Sequence, residues 1–202
     1  MPEPPNNSQI KGLIFDCDGT LADTMPLHFV AWRATLSRYN VPLDEDRFYS
    51  LAGQPTVHIV QLLLDEKGIE EDANRISLEK EQAFLDVLDD VEPIEAIVRI
   101  AREHHGKLPM GVGSGSRQEV VHRILKRIKL DDVFDCVVGA EGTQKHKPEP
   151  DVFLEVARQL NVPPEQCRVY EDADLGVEAA RRANMECFDV RDVHTPRRIT
   201  PA

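Results

Sequence analysis

The chain has 202 residues, with 24 Lys+Arg against 36 Asp+Glu for a formal net charge of −12, and 41% of it is hydrophobic. That suits one domain, or a domain with a large insertion, and excludes both a disulfide-dense miniature fold and a disordered chain. So acidic a surface disfavours nonspecific binding to nucleic acid or anionic lipid, and an anionic substrate would need a local cation to offset the field.

Residues 1–9 are rich in Pro and Asn and carry no basic, apolar signal segment, so a loose tail is expected there. No apolar run approaches the roughly 18 residues of a membrane span. The expectation is a cytoplasmic protein with no membrane, nucleic-acid or obligate protein partner. Cys17, Cys136, Cys167 and Cys187 lie in or beside apolar runs with no CxxC pair, and read as reduced thiols rather than a zinc site.

The first strand-like run is GLIFDC at 12–17. It ends in Asp16 and Asp18, two residues apart and followed by a glycine. Side chains two apart share a side of an extended chain, so both carboxylates can converge on one crevice. Two converging anions need a cation or a proton, unless the pair merely caps the next helix.

Residues 26–39, 56–67, 74–89 and 94–105 follow with helical periodicity. In the first of these Leu27, Val30, Ala31, Ala34 and Leu36 are the apolar set. About 90 residues separate the first strand from the second, far more than an ordinary crossover. The simplest organisation is an α-helical insertion at 25–93, with an α/β core made of 1–24 and 94–202. Between 41 and 95 lie 15 acidic and four basic residues, so nearly the whole net charge sits in the insertion. Its cations are Arg47, Lys67, Arg75 and Lys80.

From 109 onward strands and helices alternate. Strands are expected at 109–114, 134–140, 167–172 and 186–190, and helices at 117–129, 150–160 and 175–184. This order predicts a doubly wound parallel α/β sheet. Ligands of such sheets bind beyond the carboxyl ends of the strands. The second strand delivers Ser114, Gly115 and Ser116 at a helix start, either an anion site or a plain helix cap. The loop after the third strand holds Lys145, His146 and Lys147 before Pro148 and Pro150. The fourth strand delivers Glu171 and Asp172, then Asp174. Hard oxygen ligands at this density suit Mg2+, or else form a solvated acidic loop.

The ordered set of two Asp, a Ser, a Lys and a Glu-Asp pair on four strand ends resembles the haloacid dehalogenase superfamily of phosphoryl-transfer enzymes. DCDGTLADT, Ser114, Lys147 before Pro148, and EDADLG match its four motifs, over residues 10 to 192. HKPEPD, YEDADLGVEAARRANM, PMGVGSGS and HFVAW are similar to the β-phosphoglucomutase branch, and within it to sugar phosphatases of the fructose-1-phosphate type.

The resemblance implies a haloacid dehalogenase-like core with a small helical cap, acting on a small-molecule phosphate ester. It implies Asp16 as nucleophile and Asp18 as general acid and then base. Lys147 balances charge, and Ser114, Gly115 and Ser116 bind the phosphoryl oxygens, unless Ser116 only caps its helix. Mg2+ is held by Asp16, the Asp18 main-chain oxygen and Asp172, with Glu171 through water. Thr24, His28 and Lys80 belong to the substrate-choosing cap side. The cap loop LAGQPTV at 51–57 has no Lys or Arg where a mutase grips a second phosphate, which favours phosphatase over β-phosphoglucomutase activity. A non-catalytic phosphate-binding protein would usually have lost one of Asp16, Asp18, Ser114, Lys147 or Asp172. A haloalkanoate dehalogenase would need neither the metal nor an acid at position 18.

Overall fold

Gly12–Phe15 (β1), Met110–Gly113 (β2), Cys136–Val138 (β3), Cys167–Glu171 (β4) and Glu186–Asp189 (β5) form one sheet in the order β3-β2-β1-β4-β5. The structure is a computed structural model that describes residues 10–199. The expected tail at 1–9 lies outside the described residues. Every strand pairing is parallel. Each strand falls inside its expected apolar run, and the sheet is covered on both faces, which suits strands that read as apolar throughout.

Helices Glu95–His104 (α5) and Gln118–Arg127 (α6) cover one face and Asp151–Leu160 (α7) and Asp174–Arg182 (α8) the other. The period of two along β1 divides the core accordingly. Leu13 and Phe15 pack with Ile97, Val98, Val121 and Ile124, while Ile14 packs with Phe153, Val156, Ala179 and Ala180. The order places β1 at the centre, where its carboxyl end meets those of β2 and β4.

Between β1 and β2 the chain forms Met25–Ser37 (α1), Glu45–Ser50 (α2), Thr56–Lys67 (α3) and Ala73–Leu85 (α4). These helices enclose a separate apolar cluster with Phe29, Trp32, Leu36, Phe48, Val60 and Leu64. Helix α2 has too few residues to show periodicity in the sequence; the Asp44 carboxylate caps it by accepting from Arg47 N at 2.7 Å. The apolar face of α1 also differs from expectation. Met25, Phe29, Trp32 and Leu36 are buried, whereas Val30 is 42% exposed. The larger aromatic side chains remove more apolar area from water and so fix the helix rotation.

The two crossings between this helical unit and the sheet lie side by side. Ala22 and Pro93 form an antiparallel bridge, Asp23 N donates to Glu92 O at 2.9 Å, and Ile94 N donates to Leu21 O at 3.0 Å. Of the cations singled out in the insertion, Arg47 pairs with Glu66 and Arg75 with Glu71 on the surface, while Lys80 is buried. All four cysteines are free, and no helix among the described residues is long and apolar enough to cross a membrane.

Candidate active site

The end of β1 is built to turn sharply without losing its ladder. Asp16 N still donates to Tyr170 O of β4 at 3.0 Å. The Cys17 carbonyl then accepts from Thr20, Leu21 and Ala22 N, closing a tight turn in which Gly19 has φ +80°. A Cβ at Gly19 would lie 2.2 Å from Asp172 Oδ2, so glycine is needed both for the backbone and for the approach of that carboxylate. Cys17 is wholly buried in the core, which leaves Asp16 and Asp18 on the crevice side.

Asp16 sits among buried charges. Lys147 Nζ donates to Asp16 Oδ1 at 2.6 Å and to Glu171 Oε2 at 2.7 Å. The other Glu171 oxygen accepts from Asp172 N and Ala173 N at 3.1 and 2.9 Å. Thr20 Oγ1 donates to Asp172 Oδ1 at 3.2 Å. Burial pushes the Asp16 carboxyl well above the ordinary range; Lys147 opposes this, and Glu171, Asp172 and Asp18 add to it. Asp172 is raised by burial and by Glu171 in the same way. For Lys147 burial acts against the charge, yet Asp16 and Glu171 outweigh it and raise the ammonium pKa.

Asp16, Glu171 and Asp172 each offer an oxygen within 4.8 Å of the others. Lys147 pairs with two of these three carboxylates, Asp16 and Glu171, which leaves the cluster with an excess of negative charge. An all-carboxylate, hard-oxygen set of this kind fits a small divalent cation. Glu171 already accepts bonds on both oxygens, whereas Asp16 Oδ2 and Asp172 Oδ2 have no hydrogen-bonding partner among the described residues. Asp174, next along the acidic loop, stands apart: it pairs with Arg191 at 2.6 Å on the surface. Lys145 is exposed, so of the two loop lysines only Lys147 enters the site.

Asp18 has the opposite surroundings. Its Oδ1 accepts from Thr24 Oγ1 at 2.8 Å and from His28 Nε2 at 2.8 Å, and its Oδ2 from Ser116 Oγ at 2.6 Å. His28 Nδ1 lies 2.9 Å from Lys80 Nζ. An ammonium can only donate, so Nδ1 accepts and Nε2 carries the proton given to Asp18. Burial favours the neutral acid of Asp18, but the His28 ring and the bonds from His28, Ser116 and Thr24 overcome it and hold the carboxyl below its usual range. Burial and then Lys80 depress His28. Burial brings Lys80 down to about 8, against the pull of Asp18 and Glu81.

Of the expected site residues, Ser114 is buried and its Oγ accepts from Ser116 N at 3.0 Å. Ser116 does not cap its helix, whose cap position is Arg117; its hydroxyl serves Asp18 instead. Asp16, Asp18, His28, Lys80, Ser114, Gly115, Ser116, Glu171 and Asp172 all line one cavity of ≈ 50 Å³. Lys147 reaches it through Asp16, and Thr24 through Asp18. Sequence reasoning missed Met25 and Trp32, which also line it. Their spacing from His28, at i−3 and i+4, puts them on the same helix face and was the available signal. Gly53 and Gln54 line the cavity too, from the loop at 51–57 that the sequence marks by its lack of a cation. A Cβ at Gly115 would lie 2.4 Å from Gly53 O, so the loop after α2 rests directly on the turn at 114–116.

The geometry agrees with what the chain is similar to. The pattern of the haloacid dehalogenase-like hydrolases matches residues 13–190. The fructose-1-phosphate phosphatase YqaB of Escherichia coli (strain K12) is 41% identical over 181 residues, 89% of this chain and 96% of that protein. The phosphorylated carbohydrates phosphatase of Thermotoga maritima is 32% identical over 88% of this chain and 83% of its own. Among solved structures, β-phosphoglucomutase from Clostridium difficile superposes with a TM-score of 0.81 at 26% identity, covering 89% of this chain and 83% of that one. A match that runs from β1 to the end of β5, through every strand end that carries a site residue, places the chain in the haloacid dehalogenase-like hydrolase family of enzymes, in its β-phosphoglucomutase-like branch.

Proposed function

We propose that the protein is a Mg2+-dependent phosphatase that hydrolyses small sugar phosphates of the fructose 1-phosphate kind through a phosphoryl group carried on Asp16. The observation that carries this reading is the unequal treatment of two neighbouring carboxylates. Asp16 is fixed by Lys147 through one oxygen with the other left free toward the cavity, and Asp18 is held by three donors next to it. One group is placed to attack and the other to handle protons. In the first half-reaction Asp16 Oδ2 displaces the sugar oxygen at phosphorus, and Asp18 protonates the departing alkoxide. In the second Asp18 accepts a proton from water as it attacks phosphorus and releases Asp16. Bonds from three donors favour the charged form of Asp18, so the acid form used in the first half-reaction is reached against them.

Asp16, Asp172 and the Asp18 main-chain oxygen are the proposed Mg2+ holders, with Glu171 behind them fixing Lys147. Bound Mg2+ would supply charge neutralisation between the carboxylates and the phosphoryl oxygens. Lys147 orients Asp16, and Ser114 with the Gly115 and Ser116 amides provides the phosphoryl oxygen site. Residues 25–93 are proposed to act as a cap, with the paired crossings at Ala22 and Pro93 as its joint and Thr24, His28 and Lys80 as its link to the proton-handling group. Hydrolysis is preferred to phosphoryl migration because the loop at 51–57, which covers the cavity through Ala52, Gly53 and Gln54, carries no cation for a second phosphate.

The test is phosphate release from fructose 1-phosphate with and without Mg2+, beside conversion of β-glucose 1-phosphate. Release that requires Mg2+ and disappears in Asp16→Asn is expected. Isomerisation of glucose 1-phosphate without phosphate release would overturn the reading in favour of a mutase.

A further inference from the structure

The cavity at Asp16 and Asp18 has room for little beyond a few water-sized groups, ≈ 50 Å³, so the remote end of an ester must extend into an adjoining cleft. Two clefts adjoin it. One, reached past Ala52, Asp172 and Ala173, lies on the side of the acidic cluster. The other, of ≈ 410 Å³, is reached past Thr56 and Gly115. Asp18 is the group that serves the leaving oxygen, and it is bonded to Ser116, which stands between Gly115 and Arg117. The leaving group therefore runs toward the second cleft.

That cleft lies along the seam between the helical unit and the sheet. Its charged groups are Arg117 and Glu141 from the sheet side and Glu81 from α4, with His146 beside them. Arg117 Nη1 is 3.6 Å from Glu81 Oε2, whose side chain is only 12% exposed. Glu141 is held in place by accepting from Gln118 N at 3.1 Å. Among the described residues that line this cleft Arg117 is the one cation, and Glu81 lies beside it, while Lys80, next to Glu81, faces the catalytic cavity instead. Burial pushes the Glu81 carboxyl up; Lys80 and Arg117 oppose this, and Glu141 and Glu119 add to it.

We infer that Glu81, by neutralising Arg117 at the mouth of the catalytic cavity, is a specificity-determining residue that rejects esters with a second anionic group and selects monophosphates with an uncharged, hydroxyl-rich remote end. Ser77 and Asn74, which line the same cleft, supply polar partners for such hydroxyls. The selectivity then comes from charge repulsion: a second phosphate meets Glu81 and Glu141, and pairing with Arg117 requires breaking the existing ion pair. The inference rests on the phosphatase reading.

The experiment measures kcat/KM for fructose 1,6-bisphosphate relative to fructose 1-phosphate in the same preparation with Mg2+, so that a general loss of activity cancels. Glu81→Gln is expected to raise this ratio about tenfold, the change that 1.4 kcal/mol corresponds to. Glu81→Gln combined with Arg117→Ala is expected to return the ratio to the wild-type value. A ratio unchanged in folded Glu81→Gln, or a rise that persists without Arg117, overturns the inference while leaving the phosphatase reading intact. Where Glu81→Gln does not fold, Arg117→Glu reads the same field in the opposite sense. It is expected to lower the ratio about tenfold, and an unchanged ratio overturns the inference. A wild-type enzyme that hydrolyses neither ester removes the phosphatase reading, and this one with it.

Discussion

Asp16 and Asp18 leave the same strand two residues apart and end in opposite electrostatic states. Asp16 lies among groups that all belong to the sheet side, Lys147, Glu171 and Asp172, and burial lifts its carboxyl well above the ordinary range. Asp18 is reached from both sides of the seam, by Ser116 from the sheet side and by His28 and Thr24 from α1 and its approach, and its carboxyl is held low. Burial is the largest single influence on both. What separates them is whether the neighbours are like charges or hydrogen-bond donors. One strand end therefore carries a carboxyl pushed up beside one held down, and the proposed division of labour rests on that difference.

The comparison breaks most sharply through activity. Asp16→Asn removes the oxygen proposed to attack phosphorus and is expected to lower the rate of phosphate release by on the order of 10⁴-fold or more, measured by steady-state assay with fructose 1-phosphate. Asp18→Asn leaves the proposed attacking group and removes the proposed proton carrier, so a smaller loss of about 10²–10⁴-fold is expected. Equal losses in the two variants would show that the two carboxylates do not divide the labour.

Stability separates the two sites in another way. Lys147→Met leaves Asp16 and Glu171 buried without their shared ammonium, and a loss of about 3–5 kcal/mol in unfolding free energy is expected by urea titration. His28→Ala removes a donor but leaves Asp18 with Thr24 and Ser116, and about 1–3 kcal/mol is expected. If the second change costs more than the first, the charges around Lys147 are better solvated than the structure shows.

Three of the four strand ends were legible because each places its chemistry within two residues of an apolar run. Asp16, Asp18, Ser114 and the Glu171–Asp172 pair could be read in that way, and Lys147 by its position before Pro148. The partnerships were not legible. His28 and Lys80 are 52 positions apart and meet only because α1 packs on α4, and Glu81 and Arg117 lie on different units and meet only because α4 docks against the sheet side. The apolar stripe of α1 misled for a related reason. Val30 fits the helical period, but Phe29 and Trp32 have more area to bury, and their packing against α3 and α4 fixes the rotation. Helix α2 depends on one capping carboxylate and is shorter than the period it would need to show.

The smallest effect concerns Lys80, the outermost link to Asp18. It is buried, and its ammonium pKa falls from 10.5 to about 8 in the folded chain. Between those values the unfolded chain binds the proton and the folded one does not, so unfolding free energy rises with pH across that window. Below about pH 8 both states are charged and the burial cost is present in full. Lys80→Met removes this dependence. Wild type is therefore expected to gain up to about 2 kcal/mol relative to Lys80→Met between pH 7.5 and pH 9.5, since one pKa unit corresponds to about 1.4 kcal/mol. Chemical denaturation of both proteins across that range checks it, because every other titrating group is common to the two. A wild-type curve parallel to that of Lys80→Met would mean that Lys80 keeps its proton in the fold. The donor to His28 Nδ1 would then persist to high pH, and the proton on Nε2 that holds Asp18 low would persist with it.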